Sequence, residues 1–522
     1  MRFAGNVRKF ALRPARHPAC ASKKYAINMK IAASFKSAAI LCAAILAASP
    51  AICEVKPARI FSDNMVIQAN APIRVWGTAE KGEKVSVEFL GSTASTVADE
   101  NGNWRVSLPP KKYLKEGAEL TIRGINKIVY RDVLVGEVWL GSGQSNMEFQ
   151  IRHVKEMDDL IKTKNLPENI RYFWIRAHGS EKPEDMHNLP EAAAWKKYHK
   201  DNYETTRDMS LLLTLFAQKL NAQLDVPVGV IGAAFGGANL ETWMSEEAIA
   251  EAGTSKEAAE LLKRCRQWHN DDVKRWEAHE KRDTLRYPRI NYESRPSQSY
   301  NAMIHPIIPF SIRGVLWYQG EMNSGPELYL KQFPFYAKMM RKVFENPKMP
   351  IYTVQLPDYK EKHWPKMRDV QRKLADMVEN SGMAVTIDGH EIDLHPRDKT
   401  MVVDRLSRMV LADNYGVKIV SRSPSPVNAA ASGGTVKVTF KDVANGLKLK
   451  DGREVRTFEL AGEDGRFHPA PAKILSKDSV LVGPSKEVPN PAKVRYAWAP
   501  DPDVNLYNSG DLPASPFELD LN

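Results

Sequence analysis

The chain has 522 residues, 43% of them hydrophobic and 26% charged. That length favours two or three domains over one, and the composition excludes an intrinsically disordered protein. The formal net charge of +11 would suit a polyanion-binding protein, but nine of the 74 basic residues fall within residues 1–53, which hold no acidic residue; the other 65 face 63 acidic ones, a net of +2. The body therefore carries no global charge footprint for nucleic acid, and no nucleic-acid partner is expected.

Residues 1–53 read as a leader. Lys30 and Lys36 precede the apolar run AAILCAAILAA, and Ser49-Pro50-Ala51 or Ala51-Ile52-Cys53 offers small residues for cleavage. Met29 begins a more conventional signal than Met1. The run falls short of the roughly twenty apolar residues that span a bilayer, and nothing later reaches that length. The expectation is an exported protein, periplasmic or extracellular, with no integral membrane span once the signal is removed. An N-terminal anchor and a lipidated Cys53 are the competing readings. Cys20, Cys42 and Cys53 lie in the leader, and Cys265 has no obvious partner. No Cys or His spacing resembles a zinc site, and no cofactor or metal is expected.

Residues 54–131 contain short apolar runs (IRVWGTA, KVSVEFLG, WRVSLPP, ELTIRGI) about ten residues apart, with Gly, Asn and Pro between them. This spacing predicts a small N-terminal β-sandwich. From 132 to 420 the texture changes to buried-looking strands (DVLVGEVWLGSG, VPVGVIGAAF, IRGVLWYQGE, PIYTVQL, MAVTID) alternating with amphipathic helices, which predicts an α/β domain with a largely parallel sheet. Within it, Leu261, Cys265, Trp268 and Trp276 recur at nearly helical spacing and suggest a helical insertion over about 245–300. Residues 421–522 return to strand and turn (TVKVTF, GLKLKDG, SVLVG, KVRYAWAP) and predict a C-terminal β domain.

The strongest chemical signal is Gly141-Ser142-Gly143-Gln144-Ser145-Asn146-Met147, where an apolar strand gives way to a helix-like stretch. Ligands of open parallel sheets bind at that carboxyl edge, and a helix start offers amide donors. Ser145 is the candidate nucleophile and Ser142, nearer the strand, the blander alternative. Met147 replaces the second glycine of a Gly-x-Ser-x-Gly elbow. A serine hydroxyl needs a base, and that base an orienting group. His153, His187, His199 and His279 sit singly in charged, surface-like stretches. His395 lies in IDGHEIDLHPRDK, a polar loop after the strand MAVTID, with Asp393 and Asp388 close by. His390 reads as a turn residue and His305 as a satisfied structural imidazole. Gly236-Gly237 and Asn323 each follow a further strand, where a backbone N–H and a side-chain amide could meet a developing oxyanion.

The set GQSNM, Gly-Gly followed by Trp243, WYQGEMN and a late Asp-Leu-His-Pro resembles sialate O-acetylesterases and related acetylesterases of the SGNH-hydrolase superfamily. The likeness extends through YNAMIHPIIPFSIRGVLWYQGE to VRYAWAP and NLYNSGDLPASPFELD near the C-terminus. It implies a doubly wound, flavodoxin-like parallel sheet flanked by β-sandwich-like domains, with Ser145, Gly237, Asn323 and His395 as signature residues and Gly236 the alternative to Gly237. Superfamily members typically carry the acid three residues before the histidine, where this chain has Ile392. Asp393 is therefore the expected acid, with Asp388 or a backbone carbonyl as alternatives. Met322 stands where relatives usually have serine. The resemblance implies removal of O-acetyl groups from a sugar, most simply a sialic acid, with an acetylated plant polysaccharide as runner-up substrate and a non-catalytic glycan-binding protein as the competing class. Trp243, Tyr318 and Trp364 could stack on a sugar ring, whereas Trp317, within a strand, is expected in the core.

Overall fold

The computed structural model describes residues 54–522 except 191, 254–259, 261, 262, 264–266, 268–294, 324, 390 and 522. The leader, the helical pattern through Leu261, Cys265, Trp268 and Trp276, and both His279 and His390 lie outside the described residues.

The chain is mixed α/β, with one large mixed sheet and several smaller ones. A 17-residue strand, β1 (Lys127–Gly143), links its first two parts. Its beginning pairs antiparallel with Leu114–Arg123, and its end lies at the centre of a run of parallel strands. The boundary expected at 131/132 is thus a bend within one strand, marked by the left-handed φ of 54° at Asp132. Asp132 is fixed there by Arg171 at 3.0 Å and Lys197 at 2.8 Å. The strands of the 54–131 segment form a separate three-stranded sheet and an extension of the large one.

The parallel strands are β1, β2 (Ile170–Ile175), β3 (Val228–Ala234), β4 (Gly314–Tyr318), β5 (Ile351–Val354) and β6 (Ser381–Ala384), in the spatial order β2-β3-β1-β4-β5-β6. Alternation along each strand sends side chains to two different cores. Val138, Leu140, Ile231, Val315 and Trp317 join one, together with helices α1 (Pro326–Val343) and α2 (Trp364–Met377). Trp139, Val230, Leu316 and Tyr318 join the other, with Leu211–Leu224 and Thr400–Tyr415. Covered on both faces, these strands read as continuous apolar runs, as buried parallel strands do.

After β1 the chain builds β2 and β3 on one side and then β4 to β6 on the other. The order reverses beside β1, and open sheets of this kind bind ligands at the carboxyl ends next to such a reversal. Residues 421–522 form two four-stranded antiparallel sheets and a two-stranded one. Their core includes Met383, Val385 and Ile387, so it continues into the exit of β6.

Gly143 closes β1 in a conformation that only glycine adopts readily. Its φ is 135°, and a Cβ there would lie 2.1 Å from the Tyr318 carbonyl oxygen of β4. That same carbonyl accepts the Gln144 N–H at 3.0 Å. Gly143→Ala is expected to force β1 and β4 apart at the turn, costing about 3 kcal/mol or more. Thermal unfolding of the variant should show a clear drop in Tm; an unchanged Tm would mean that the turn tolerates a side chain.

Candidate active site

Ser145 opens a helix of only four residues, Ser145–Glu148. The helix expected after the nucleophile is a single turn, so it contributes local amides and little macrodipole. Ser145 is half-buried, whereas Ser142 is fully buried with a hydroxyl that has no hydrogen-bond partner among the described residues. His395 Nε2 lies 2.7 Å from Ser145 Oγ, across 250 residues of sequence. At that distance Nε2 accepts the hydroxyl proton when the imidazole carries its own on Nδ1. The imidazole is held below its ordinary pKa, first by burial, then by the Lys399 ammonium, with Asp393 opposing and His153 adding to the depression.

Buried amides assemble the surrounding loops. Asn146 donates to Glu321 Oε1 at 2.6 Å and to the Leu394 carbonyl at 2.8 Å, and its own oxygen accepts from Lys399 Nζ at 2.7 Å. Gln144 Oε1 accepts from Gln319 Nε2 and from the Gly320 and Met322 amides. Gln319 in turn donates to the Ala238 carbonyl at 3.1 Å and to Asn323 Oδ1 at 2.6 Å. The loops after β1, β3, β4 and β6 are therefore stitched together by side chains. Gln144, Asn146, Gln319, Glu321 and Lys399 carry no chemical signal of their own in the sequence, although the first four stand inside GQSNM and WYQGEMN. Lys399 is 1% exposed, with Nζ over the rings of Phe149 and Tyr318 at 4.9 and 5.5 Å, and burial lowers its pKa to about 8. Burial likewise raises the carboxyl pKa of Glu321 and Glu148.

The two glycines differ. The Gly236 N–H is taken by Glu148 Oε2 at 2.8 Å, while Gly237 has a positive φ of 78° and an N–H that no hydrogen bond takes among the described residues. Asn323 follows β4. Its Oδ1 accepts the Leu240 N–H at 3.0 Å and its Nδ2 donates to Glu241 Oε2 at 3.2 Å, which fixes the orientation of the amide and leaves one N–H over.

Three expectations need correcting. Asp393 Oδ1 accepts the main-chain N–H of His395 at 2.9 Å, and no hydrogen bond or ion pair links its carboxylate to the His395 ring among the described residues. A two-residue tether curls the carboxylate back onto the backbone in a tight turn, which keeps it away from Nδ1. Asp388 is also engaged elsewhere, paired with both guanidinium nitrogens of Arg405 at 2.6 and 2.7 Å and accepting from Tyr507 at 3.0 Å. Trp243, Tyr318 and Trp364 are at most 1% exposed, as is Trp317, so all four are core side chains and none of the first three offers a face to a sugar. His305, by contrast, is satisfied through Nδ1 by the Glu184 carbonyl at 2.8 Å.

Asp393→Asn keeps an oxygen for the His395 amide, so kcat is expected to fall less than about tenfold, against roughly ten-thousandfold for a carboxylate that sets the imidazole tautomer. Steady-state kinetics decide between these roles. Lys399→Met removes the cation that penalises the imidazolium. The His395 pKa is then expected to rise, moving the acid limb of the kcat/KM profile to higher pH. A limb that stays in place would show that Lys399 does not act on His395 through charge.

Residues 135–409 match the family described as carbohydrate esterase, sialic acid-specific acetylesterase. The sialate O-acetylesterase of Mus musculus is 27% identical over 514 residues, covering 88% of this chain and 93% of its own length. The Homo sapiens counterpart is 26% identical over 509 residues, covering 88% and 91%. The crystal structure of a carbohydrate acetylesterase from Xanthomonas citri superposes with a TM-score of 0.76 at 29% identity, covering 89% of this chain and 99% of that one. With the family match spanning more than half of its length, the chain belongs to the sialic acid-specific acetylesterase family of carbohydrate esterases and is a carboxylic ester hydrolase.

Proposed function

We propose that the protein removes O-acetyl groups from sialic acids, with Ser145 as nucleophile and His395 as its base. The observation that carries this reading is the 2.7 Å contact between Ser145 Oγ and His395 Nε2 within the matched segment. In the first step the Ser145 proton passes to Nε2 as Oγ bonds to the acetyl carbonyl carbon. The sugar oxygen then leaves, taking the proton back from His395, and the acetyl group remains on Ser145. Water, deprotonated by His395, attacks that acyl group and releases acetate. The transient oxyanion would be held by the Ser145 and Gly237 amides and by the spare N–H of Asn323, since Gly236 is already committed to Glu148. With no carboxylate on Nδ1 among the described residues, the site is read as a dyad. Asp393 sets the backbone of the His395 turn and supplies a favourable charge nearby.

The strand order supports an SGNH arrangement of the central sheet, with the 54–131 and 421–522 segments as flanking β units. We also infer that residues 1–53 direct export to the periplasm or beyond, on the strength of their basic start and apolar run. A second substrate reading, an acetylated plant polysaccharide, draws on the Xanthomonas citri neighbour, which is described only as a carbohydrate acetylesterase.

Acetate release from O-acetylated N-acetylneuraminic acids and from acetylated xylo-oligosaccharides separates the two, with the sialates expected to show the higher kcat/KM. Ser145→Ala is expected to lower kcat on either substrate by about a thousandfold or more while leaving Tm within a degree or two, because one half-buried hydroxyl contributes little to stability. Full activity in Ser145→Ala would end the assignment.

A further inference from the structure

Sialate recognition calls for a cation placed for the sugar carboxylate, and the site around Ser145 and His395 leaves open which residue supplies it. Beside that site lies a cleft of about 460 Å³ whose lining includes Glu148, Tyr172, Trp174, Arg176 and Lys196. Glu148 is the link between the two. Its carboxylate holds the Gly236 N–H at 2.8 Å, and a Cβ on Gly236 would lie 3.2 Å from that carboxylate and 3.7 Å from Ser145 Cβ. Glu148 therefore belongs both to the cleft lining and to the short helix that Ser145 opens.

Strand geometry sets what faces it. Along β2, Phe173 and Ile175 belong to one core, while Tyr172 and Trp174 belong to the other side of the sheet. The same alternation carries Arg176, just past the strand end, to the cleft side. Lys196 lies directly opposite Tyr172 on the antiparallel edge strand Lys196–Lys197, which puts its side chain on that face too. Trp174 is partly buried and rests on the backbone of Gly232 in β3, where a Cβ would fall 2.1 Å from Cε3 and 2.3 Å from Cζ3 of the indole. Gly232 thus makes the seat for an aromatic platform whose far face lines the cleft.

The charges in the cleft are not balanced in their commitments. Asp208 is paired with Arg152 at 3.0 Å, Glu204 lies 3.8 Å from Arg207, and Glu148 is buried on the Gly236 amide. The Arg176 guanidinium and the Lys196 ammonium have no hydrogen bond or ion pair among the described residues. Two cations beside a partly buried indole are the chemistry that an anionic sugar requires: a fork and a point charge for a carboxylate, and a flat apolar face for a ring or its side chain.

We propose that Arg176 and Lys196 bind the carboxylate of the acetylated sugar, with Trp174 as its stacking platform, so that this cleft selects anionic over neutral acetyl esters. The inference rests on the sialate reading above. It assigns to Trp174 the aromatic role that the buried Trp243 and Tyr318 do not fill.

The test compares an O-acetylated N-acetylneuraminic acid with its methyl ester, which differs only in lacking the negative charge, and uses 4-nitrophenyl acetate to report the chemistry alone. The full chain is expected to favour the acid over its methyl ester by about tenfold or more in kcat/KM, and the Arg176→Gln/Lys196→Gln double variant should bring that ratio close to one, mainly through KM. Arg176→Lys, which keeps a charge without the fork, should retain an intermediate preference. A double variant that keeps the wild-type ratio overturns the proposal, whether or not its activity on all three substrates falls together. A wild type that cleaves 4-nitrophenyl acetate but releases acetate from neither sialate form overturns the sialate reading itself, and this inference with it.

Discussion

Ser145 and His395, the proposed nucleophile and base, lie 250 residues apart and can meet at 2.7 Å only if something fixes the loop of one to the turn of the other, and here that task falls to the side chain of Asn146. Its amide is fully buried and uses both ends: nitrogen to the Leu394 carbonyl, one residue before the base, and to Glu321; oxygen to Lys399, four residues beyond the base. Because Asn146 is the immediate neighbour of Ser145, these bonds set the distance between the two reacting side chains almost directly. A buried polar network of this kind is favourable only when its members find partners, since each unpaired group forfeits its full hydration. That makes the position intolerant of an apolar replacement and explains why an asparagine follows the nucleophile instead of a helix-forming residue.

The same network shapes the electrostatics. Lys399 enters to satisfy Asn146, and burying its ammonium carries a charge to the back of the site. Glu321 is drawn in as a partial counterweight, with its other carboxylate oxygen left without a hydrogen-bond partner among the described residues. Burial first, and then the Lys399 cation, disfavour the imidazolium and hold the His395 pKa below its ordinary value. Among the described residues no carboxylate reaches the His395 ring, which leaves its protonated form without that stabilisation.

Much of this was legible in the chain. The apolar runs ending in glycine or polar residues locate four strand ends, and with them Ser145, Gly237, Asn323 and His395, because strand periodicity and a parallel sheet force such residues to one edge. What escaped has identifiable reasons. The bend at Asp132 looks like a domain boundary because a change of partner strand and a change of domain leave the same mark in the sequence. Asp393 sits close to His395 along the chain, but proximity in sequence does not set direction, and a backbone amide two residues on competes for the same carboxylate. Trp243 and Tyr318 stand next to site residues, yet strand-to-core alternation and a short 3-10 turn bury them. Trp174 carries no mark of its place in the sequence because that place depends on Gly232 in a neighbouring strand, a pairing that no local pattern encodes.

The C-terminal sheets then cease to look like an appendage. The loop bearing His395 leaves β6 through Val385 and Ile387, both of which are buried in the core of the 421–522 segment. At its root, Asp388 is gripped by Arg405 from the following helix and by the Tyr507 hydroxyl from a C-terminal strand. From helix α2, Arg368 donates to the carbonyls of Leu356 and Pro357, just past the end of β5, and to those of Ala499 and Pro500 in the C-terminal segment. Pairs as deeply buried as Arg405–Asp388 and Arg368–Asp358 gain little over an apolar contact in stability, but breaking one leaves a stranded charge and costs about 3–5 kcal/mol. Their value lies in geometry, because each demands one arrangement of the chains it joins. The root of the base-bearing loop is therefore fixed from the C-terminal side and its tip from the nucleophile side by Asn146, and the 2.7 Å contact exists where those two constraints agree.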